Sequence, residues 1–429
     1  MSLSFPARFI FVLLVPLGCL LTASAAVRAA TIAYANTPGA NDFAVGANWT
    51  GGVAPGASDI PTIDGVDGVV NYSYLDTTKS IQRFTLATNN GNTGGLELRS
   101  GGSLTATVTN NVSYIGARGS AHLRIFNGSS MTTSNVLNVG WGDVSGHGVG
   151  TVTQSGGSYT GSTAAGNITL GVAAADANFP ASVGTYNLNS GTVNLGNTLI
   201  VGLAGIGTFN MNGGSVTTGN FLQIGRTGTG TFTQTAGPLI VNRTSGDAMV
   251  IGAAVGGNGK YEISGGSLAV NTTGAGAGVA IGIAAGTASG TFKVIGDAAT
   301  SISIAGDYKQ FTNSNLSLDI GTGITPINLT GGATLAGALN VKFTTTPSVG
   351  QTFTIMTYGG TLTGAFTTFD SLVDSPAGID SIPLSLSYGS GSGSSIVLTV
   401  VPEPTSILLM AITVSILGLR FVRRRNAEL

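Results

Sequence analysis

The chain is short of charge, of thiols and of imidazole. Asp, Glu, Lys and Arg make up 8% of its 429 residues, against about 25% in an ordinary soluble domain. It holds one cysteine, Cys19, and two histidines, His122 and His147. A lone cysteine closes no intrachain disulfide. Two histidines 25 positions apart, with no spaced Cys or His partner, fit no zinc pattern. No metal and no cofactor is expected. Six basic residues crowd the ends: Arg8, Arg28, Arg420, Arg423, Arg424 and Arg425. With Glu403 and Glu428 also left to the ends, 11 basic and 16 acidic residues lie between, a net charge of −5. That balance excludes a nucleic-acid or anionic-membrane surface.

Catalytic patterns are equally scarce. Glycosidic chemistry needs two acids at fixed separation, or clustered carboxylates with a basic partner. The acids here are scattered. Asp64 and Asp67 fall in DGVDG at 64–68, and Asp297 and Asp307 sit beside glycines. Such settings are turns before they are calcium or catalytic pairs. No Ser/His/Asp set stands out. Calcium-binding GGxGxD nonapeptides are absent, and glycine runs such as 228–230 open no helix that would cradle phosphate. The chain is therefore expected not to be an enzyme. The alternative is a carbohydrate-active β-helix enzyme, a polysaccharide lyase or hydrolase.

What is abundant is glycine, 68 residues, more than twice the usual share of about 7%. It is mixed with Ser, Thr, Asn and regular Val, Ile, Leu and Phe. Those apolar residues can be buried, so the composition is one of many short strands and tight turns rather than of disorder. A repeat organises them. GTVTQSGGS at 150–158 is followed by GTYNLNSGT at 184–192 and GTFNMNGGS at 207–215. GTFTQTAGP at 230–238, GKYEISGGS at 259–267 and a decayed GTFKV at 290–294 complete the series. Start-to-start spacings run from 23 to 34 residues. Each block leads to an apolar-x-apolar-Gly element, as at 199–202, 222–225, 249–252 and 279–282, with weaker members at 136–140 and 115–116.

Within a block the period is two, which marks a half-buried strand. The inward pairs are Val152/Gln154, Tyr186/Leu188, Phe209/Met211, Phe232/Gln234, Tyr261/Ile263 and Phe292/Val294. Gln154 and Gln234 break the apolar rule; they either pair in the interior or mark a twisted segment. Two strands and a turn per repeat predict an all-β parallel β-helix (β-solenoid), since one coil cannot bury its own inner face. Roughly 12 coils at about 4.8 Å each would make a rod about 60 Å long. A sandwich or propeller is the runner-up, although a propeller wants repeats of about 40 residues.

The ends carry addresses. Arg8, an apolar run at 9–21 and small residues with Ala23 and Ala25 as an A-x-A site form a signal peptide. A lipoprotein reading of Cys19 is weakened by Pro16 and Leu17. At the other end Pro402, Glu403 and Pro404 precede an uncharged apolar run at 406–419. Extended to Val422 it reaches 17 residues, near the lower limit for a membrane span, with Arg420 able to snorkel. Arg423, Arg424 and Arg425 then stop transfer and leave the bulk of the protein outside. A plain C-terminal anchor explains the same residues.

The order of motif, helix and basic stop resembles the C-terminal sorting signal of the PEP-CTERM family of exported bacterial proteins. The resemblance covers this tail and implies that an exosortase-type sorting enzyme recognises Pro402, Glu403 and Pro404 and removes the helix. NWTGGVAPG at 48–56 with Asp59 is similar to the opening of autotransporter-type and PEP-CTERM passenger domains. A large aromatic such as Trp49 would cover the first rung there; a sugar-stacking role is the alternative. Residues 335–341, 350–355 and 364–366 resemble the closing segment of such passengers and suggest antiparallel strands. The glycine–serine run at 389–395 is expected to be a hairpin turn rather than a linker. N-x-S/T triplets at Asn48, Asn167 and Asn242 are no more than this composition produces by chance.

The expected organisation is a signal peptide at 1–30, an N-terminal cap region at 31–95 and solenoid repeats at 96–310. A β region closing the solenoid follows at 311–400, then the sorting signal with a transmembrane helix at 401–429. The expected function is that of an exported, non-catalytic surface or extracellular-matrix protein, structural or adhesive, from a Gram-negative-type bacterium. Extracellular polysaccharide is the expected partner, with the membrane as a temporary one before processing. A membrane-tethered adhesin that keeps its tail is the alternative. An autotransporter is disfavoured, because the chain ends in a helix and arginines rather than in long alternating strands.

Overall fold

Phe209 pairs in register with Phe232, Phe232 with Tyr261, and Tyr261 with Phe292, each on a parallel neighbouring strand. That stacking of like on like is the architecture in miniature. The computed structural model describes residues 30–35, 41–65, 72–108, 112–162, 164–273, 276–284, 286–375, 378–380, 382–389, 391 and 393–402. Among these residues the protein is all-β, with one short 3-10 turn at Gly46–Asn48. Two large parallel sheets dominate, an arrangement that points to a β-solenoid.

Each repeat contributes three strands, not two. In one copy they are Ile206–Met211, Ser215–Thr218 and Leu222–Ile224. Each pairs in parallel with its counterpart in the next copy, Thr229–Gln234, Pro238–Arg243 and Met249–Ile251. The extra strand is the segment after the double glycine. Its four residues, Ser215 to Thr218, show only two apolar/polar alternations, too few for a period to emerge. The third ladder holds 13 strands, from Thr31–Ala33 to Leu362–Gly364. At about 4.8 Å per step this stack is about 58 Å long. The other two ladders count as one 25-stranded sheet, because Val149–Gly161 and Val183–Leu195 run unbroken through the corner between them. These pairings replace the sandwich and propeller alternatives.

The predicted inward residues, from Val152/Gln154 to Phe292/Val294, are all sealed from solvent. Tyr186, Phe209 and Phe232 stack with centroids 4.9 and 4.7 Å apart and planes within 8°. Each such ring contributes roughly 1.5–3 kcal/mol by leaving water. The recurrent glycines have a steric cause. Gly225 ends its strand with φ +66°, and a Cβ there would lie 2.2 Å from the Asn258 carbonyl of the next repeat. Gly230 faces it across the corner, where a Cβ would lie 2.2 Å from the Gly225 nitrogen. Only glycine lets the two backbones approach so closely.

Trp49 is buried, donates its indole N–H to the Phe43 carbonyl at 2.8 Å, and meets Tyr34 and Phe43 edge-on. That is packing, and it leaves no ring face for a sugar. At the far end the sequence suggests antiparallel strands over 335–366. Most of this region is instead parallel: Ala338–Phe343 pairs with Ser314–Ile320 and Thr368–Ser375, and Leu362–Gly364 continues the third ladder. The apolar alternation there matches either direction of pairing, so the pattern could not choose. Antiparallel pairing enters where Thr352–Tyr358 meets Ser394–Val400, which in turn pairs with Leu384–Tyr388. Those last two strands pair antiparallel across the glycine–serine run, as the expected hairpin requires.

Candidate functional site

The third ladder carries one row in which Thr62, Thr85, Tyr114 and Asn138 follow one another in register, Tyr114 half-buried and the other three nearly buried. Tyr114 is the middle residue of Ser113–Ile115, whose two ends are buried. Its ring is thus directed outward by the strand's own alternation. Beyond Val139 the chain leaves the ladder and makes a small antiparallel hairpin, Gly142–Asp143 against Gly146–His147. Trp141 stands at the base of this hairpin, its ring 5.1 Å from that of Tyr114. Arg83 and Arg118 complete a groove of about 280 Å³ that also takes in Thr62 and Thr85.

The two arginines differ. Arg118 lies over the Trp141 ring at 5.4 Å and donates to Asp143 Oδ1 at 2.7 Å, with a second donor on Asp143 Oδ2. It also reaches the Thr88 carbonyl at 3.1 Å. Its fork therefore holds Asp143 well below the usual carboxylate range, at about 2. Among the described residues Arg83 has a single long contact, to the Val112 carbonyl at 3.5 Å, and its enclosed Nε has no acceptor. Half-burial pushes the Tyr114 phenol up, while Arg83 and Arg118 pull it back. A second insertion braces the hairpin: His147 Nδ1 meets the Pro180 carbonyl at 2.5 Å, and Nε2 lies 3.3 Å from Asp176.

A different face presents uncharged groups in rows. Along the strands that start Gly-Thr, Thr151, Thr185, Thr208 and Thr231 are in register, and beside them run Thr153, Asn187, Asn210 and Thr233. Asn210 donates to Asn187 at 2.8 Å and Asn212 to Asn189 at 3.0 Å. Charge flanks this face. Before it, Glu97 accepts from Arg99 and Arg124, and Arg124 lies over the Tyr72 ring at 4.7 Å. After it, Lys260 pairs with Glu262 at 2.6 Å.

The sequence candidates fall as follows. His122 and His147 have separate partners; His122 contacts Thr153 Oγ1 at 2.9 Å, and burial lowers its pKa. Asp64 accepts from the Thr88 backbone and hydroxyl, and Asp307 from the Gly332 backbone at 2.8 Å, so both tie turns together. Asp297 sits in a turn, and Asp67 lies outside the described residues. No group of three metal-ligating side chains occurs among the described residues. Gln154 and Gln234 do not pair with each other. Each amide nitrogen reaches a carbonyl of its own turn, Gly157 or Gly237, and one of the next repeat, Thr192 or Ser267.

Pro402 is exposed, two residues past Ser394–Val400. Glu403, Pro404, Arg423, Arg424, Arg425, Ala23 and Ala25 lie outside the described residues, as does the expected transmembrane run. Among the described residues no helix is long and apolar enough to cross a membrane. Sequence reasoning missed Arg83, Tyr114, Arg118 and Trp141. The available signal was the middle position of the apolar-x-apolar-Gly element. It is aromatic in SYIG at 113–116 but Ile, Gln, Val or Ala in the clearer copies. Compared with protein-family models, curated proteins and solved structures, the chain matches none.

Proposed function

We propose that this protein is an exported, non-catalytic β-solenoid rod of the cell surface or extracellular matrix that holds extracellular polysaccharide along its uncharged face. The observation that carries this reading is the in-register array of hydroxyl and amide side chains from Thr151 to Thr233. A repeating ligand meets a repeating surface there, and many weak hydrogen bonds act together. Four rungs at about 4.8 Å present roughly 14 Å of such face. Neutral hydroxyls and amides suit sugar hydroxyls, which both donate and accept.

Sorting through Pro402, Glu403 and Pro404 by an exosortase-type enzyme belongs to the same proposal. It rests on the motif, the apolar run and the arginines in their order, and on the exposure of Pro402 just after the last sheet strand. The chain would be membrane-anchored first and released or transferred afterwards.

The test is the intact mass and C-terminal peptide of the protein recovered from its native host, together with its co-sedimentation with that host's polysaccharide. A terminus near Pro404 and co-sedimentation are the expected results. Recovery of Arg423 through Leu429 would replace sorting by a retained anchor. Release of sugar fragments from the polymer would turn the reading into an enzyme.

A further inference from the structure

We propose that the groove between Arg83, Tyr114, Arg118 and Trp141 binds an acidic sugar unit of a polysaccharide, with its carboxylate on Arg83. The inference rests on the polysaccharide reading and adds a second, charge-selective site on another face of the stack.

Three features of the groove converge on this class of ligand. Its walls offer two aromatic rings, Tyr114 and Trp141, close together at the surface, where the apolar C–H face of a pyranose can pack. Thr62 and Thr85 lie in the same ladder row as Tyr114 and, though nearly buried, line the groove with polar side chains. The volume, about 280 Å³, falls at the small end of ligand sites and suits one or two sugar units.

Charge selects among sugars. Arg118 is neutralised by Asp143. Among the described residues Arg83 pairs with no acid, and its Nε is enclosed without an acceptor. Arg83 lines the groove, and its one contact, to the Val112 carbonyl, is long at 3.5 Å, so a small shift of the side chain would turn its guanidinium to an incoming carboxylate in the two-pronged geometry arginine favours. Single-stranded nucleic acid also uses arginine and aromatic stacking. A backbone of successive phosphates, however, calls for several free cations in line. Among the described residues this groove has one, in a chain whose central region is net negative.

The site is set before the ligand arrives. Asp143 fixes Arg118, Arg118 lies on the indole, and Tyr114 packs against that indole at 57°. Preorganised rings lose little entropy on binding.

Tryptophan fluorescence gives a direct readout, because Trp49 is buried in the cap and Trp141 is half-exposed at the groove. The full-length chain, purified in detergent, is titrated with a polyuronate tetrasaccharide, its carboxyl-reduced neutral counterpart, and a short single-stranded DNA. The expected result is an emission shift with the uronate and about 10-fold or weaker binding of the neutral sugar. Arg83→Met should bring the uronate down to the level of the neutral sugar, and Tyr114→Phe should keep the preference. Arg83→Lys, which keeps charge but not the fork, should fall between. Equal binding of acidic and neutral sugars, no effect of Arg83→Met, or tighter binding of DNA would each overturn the proposal. Co-sedimentation with host polysaccharide separates the two readings. If it survives while the groove fails these tests, only the groove assignment is lost. If it disappears for the unaltered chain, the polysaccharide reading itself is lost.

Discussion

Tyr261 donates its phenol hydrogen to Gln234 Oε1, 2.5 Å away, in a corner where both side chains are sealed from solvent. The same device occurs twice more, between Tyr186 and Gln154 at 2.6 Å and between Tyr308 and Gln310 at 2.9 Å. In each case the glutamine nitrogen donates to two backbone carbonyls. One buried amide thus satisfies a corner of its own repeat and joins it to the next. Gln234→Ala strands the Tyr261 hydroxyl, at about 1–3 kcal/mol, and takes a donor from two carbonyls, of which Gly237 still accepts from the Ser267 N–H. Tyr261→Phe strands a single acceptor. Hydrogen exchange across the strands around 234 and 267 should therefore rise more for Gln234→Ala than for Tyr261→Phe; the reverse order would mean that the amide is not the linchpin of the corner.

Burial also holds these phenols neutral. The pKa values of Tyr186, Tyr261 and Tyr308 are raised, chiefly by desolvation. A folded-state pKa above the unfolded one gives stability that is complete below the unfolded value of about 10 and is lost as pH rises past it. An ultraviolet titration should show tyrosine ionisation in more than one phase. Tyr186, Tyr261 and Tyr308 should ionise only as the protein unfolds, with hysteresis on return. A single reversible wave for all ten tyrosines would contradict this.

Two glycines with similar backbones should respond very differently to alanine. Gly91 has φ +82° and nothing within 4 Å of an added Cβ, whereas at Gly225, φ +66°, that Cβ would sit 2.2 Å from the Asn258 carbonyl. Gly91→Ala should cost about 1 kcal/mol for the left-handed conformation alone. Gly225→Ala must also push neighbouring repeats apart, and about 2–5 kcal/mol is expected. Chemical denaturation of the two variants side by side measures the difference.

Acid should loosen the hairpin at 142–147. Asp143 has its pKa lowered to about 2, first by its hydrogen bonds from Arg118. A depressed folded-state pKa gives stability present above the unfolded value, near 4, and lost as pH falls toward 2. Both partners are about a third exposed, so the effect is local and modest. Trp141 emission should change between pH 4 and pH 2, and Asp143→Asn should abolish that change while shifting the neutral-pH spectrum toward the acid one.

Much of the core was legible in the sequence and most of the groove was not, for one physical reason. Period-two alternation in strings such as GTFNM, 207–211, reports which side chains face inward, and all twelve inward positions are buried. Stacking of equal repeats then follows from the regular restart at Gly-Thr. Alternation does not report strand direction, which is why 335–366 reads as antiparallel in the sequence and is mostly parallel in the fold. It is also silent on groups brought together across repeats: Arg83, then Tyr114 with Arg118, then Trp141 come from three successive rungs. Gln154 and Gln234 were visible as exceptions. Their partners, a tyrosine one repeat on and a carbonyl 33 or 38 residues away, were not.

The array and its flanks make a last prediction about polymer binding. Asn187 and Asn210 belong to the uncharged face, and Asn271 donates to Asn242 at 2.9 Å on a different ladder. All four are polar surface residues in equivalent ladders, so composition alone cannot separate them. If the face from Thr151 to Thr233 holds polysaccharide, Asn210→Ala removes one rung of several. Retention on host polymer should fall about 2–10-fold, the worth of one or two hydrogen bonds. Combining it with Asn187→Ala should multiply the losses, because linked weak contacts act through effective concentration. Asn271→Ala should leave retention unchanged at the same stability. Equal losses from all three changes would point to general surface polarity, and the register of the rows would then have no bearing on binding.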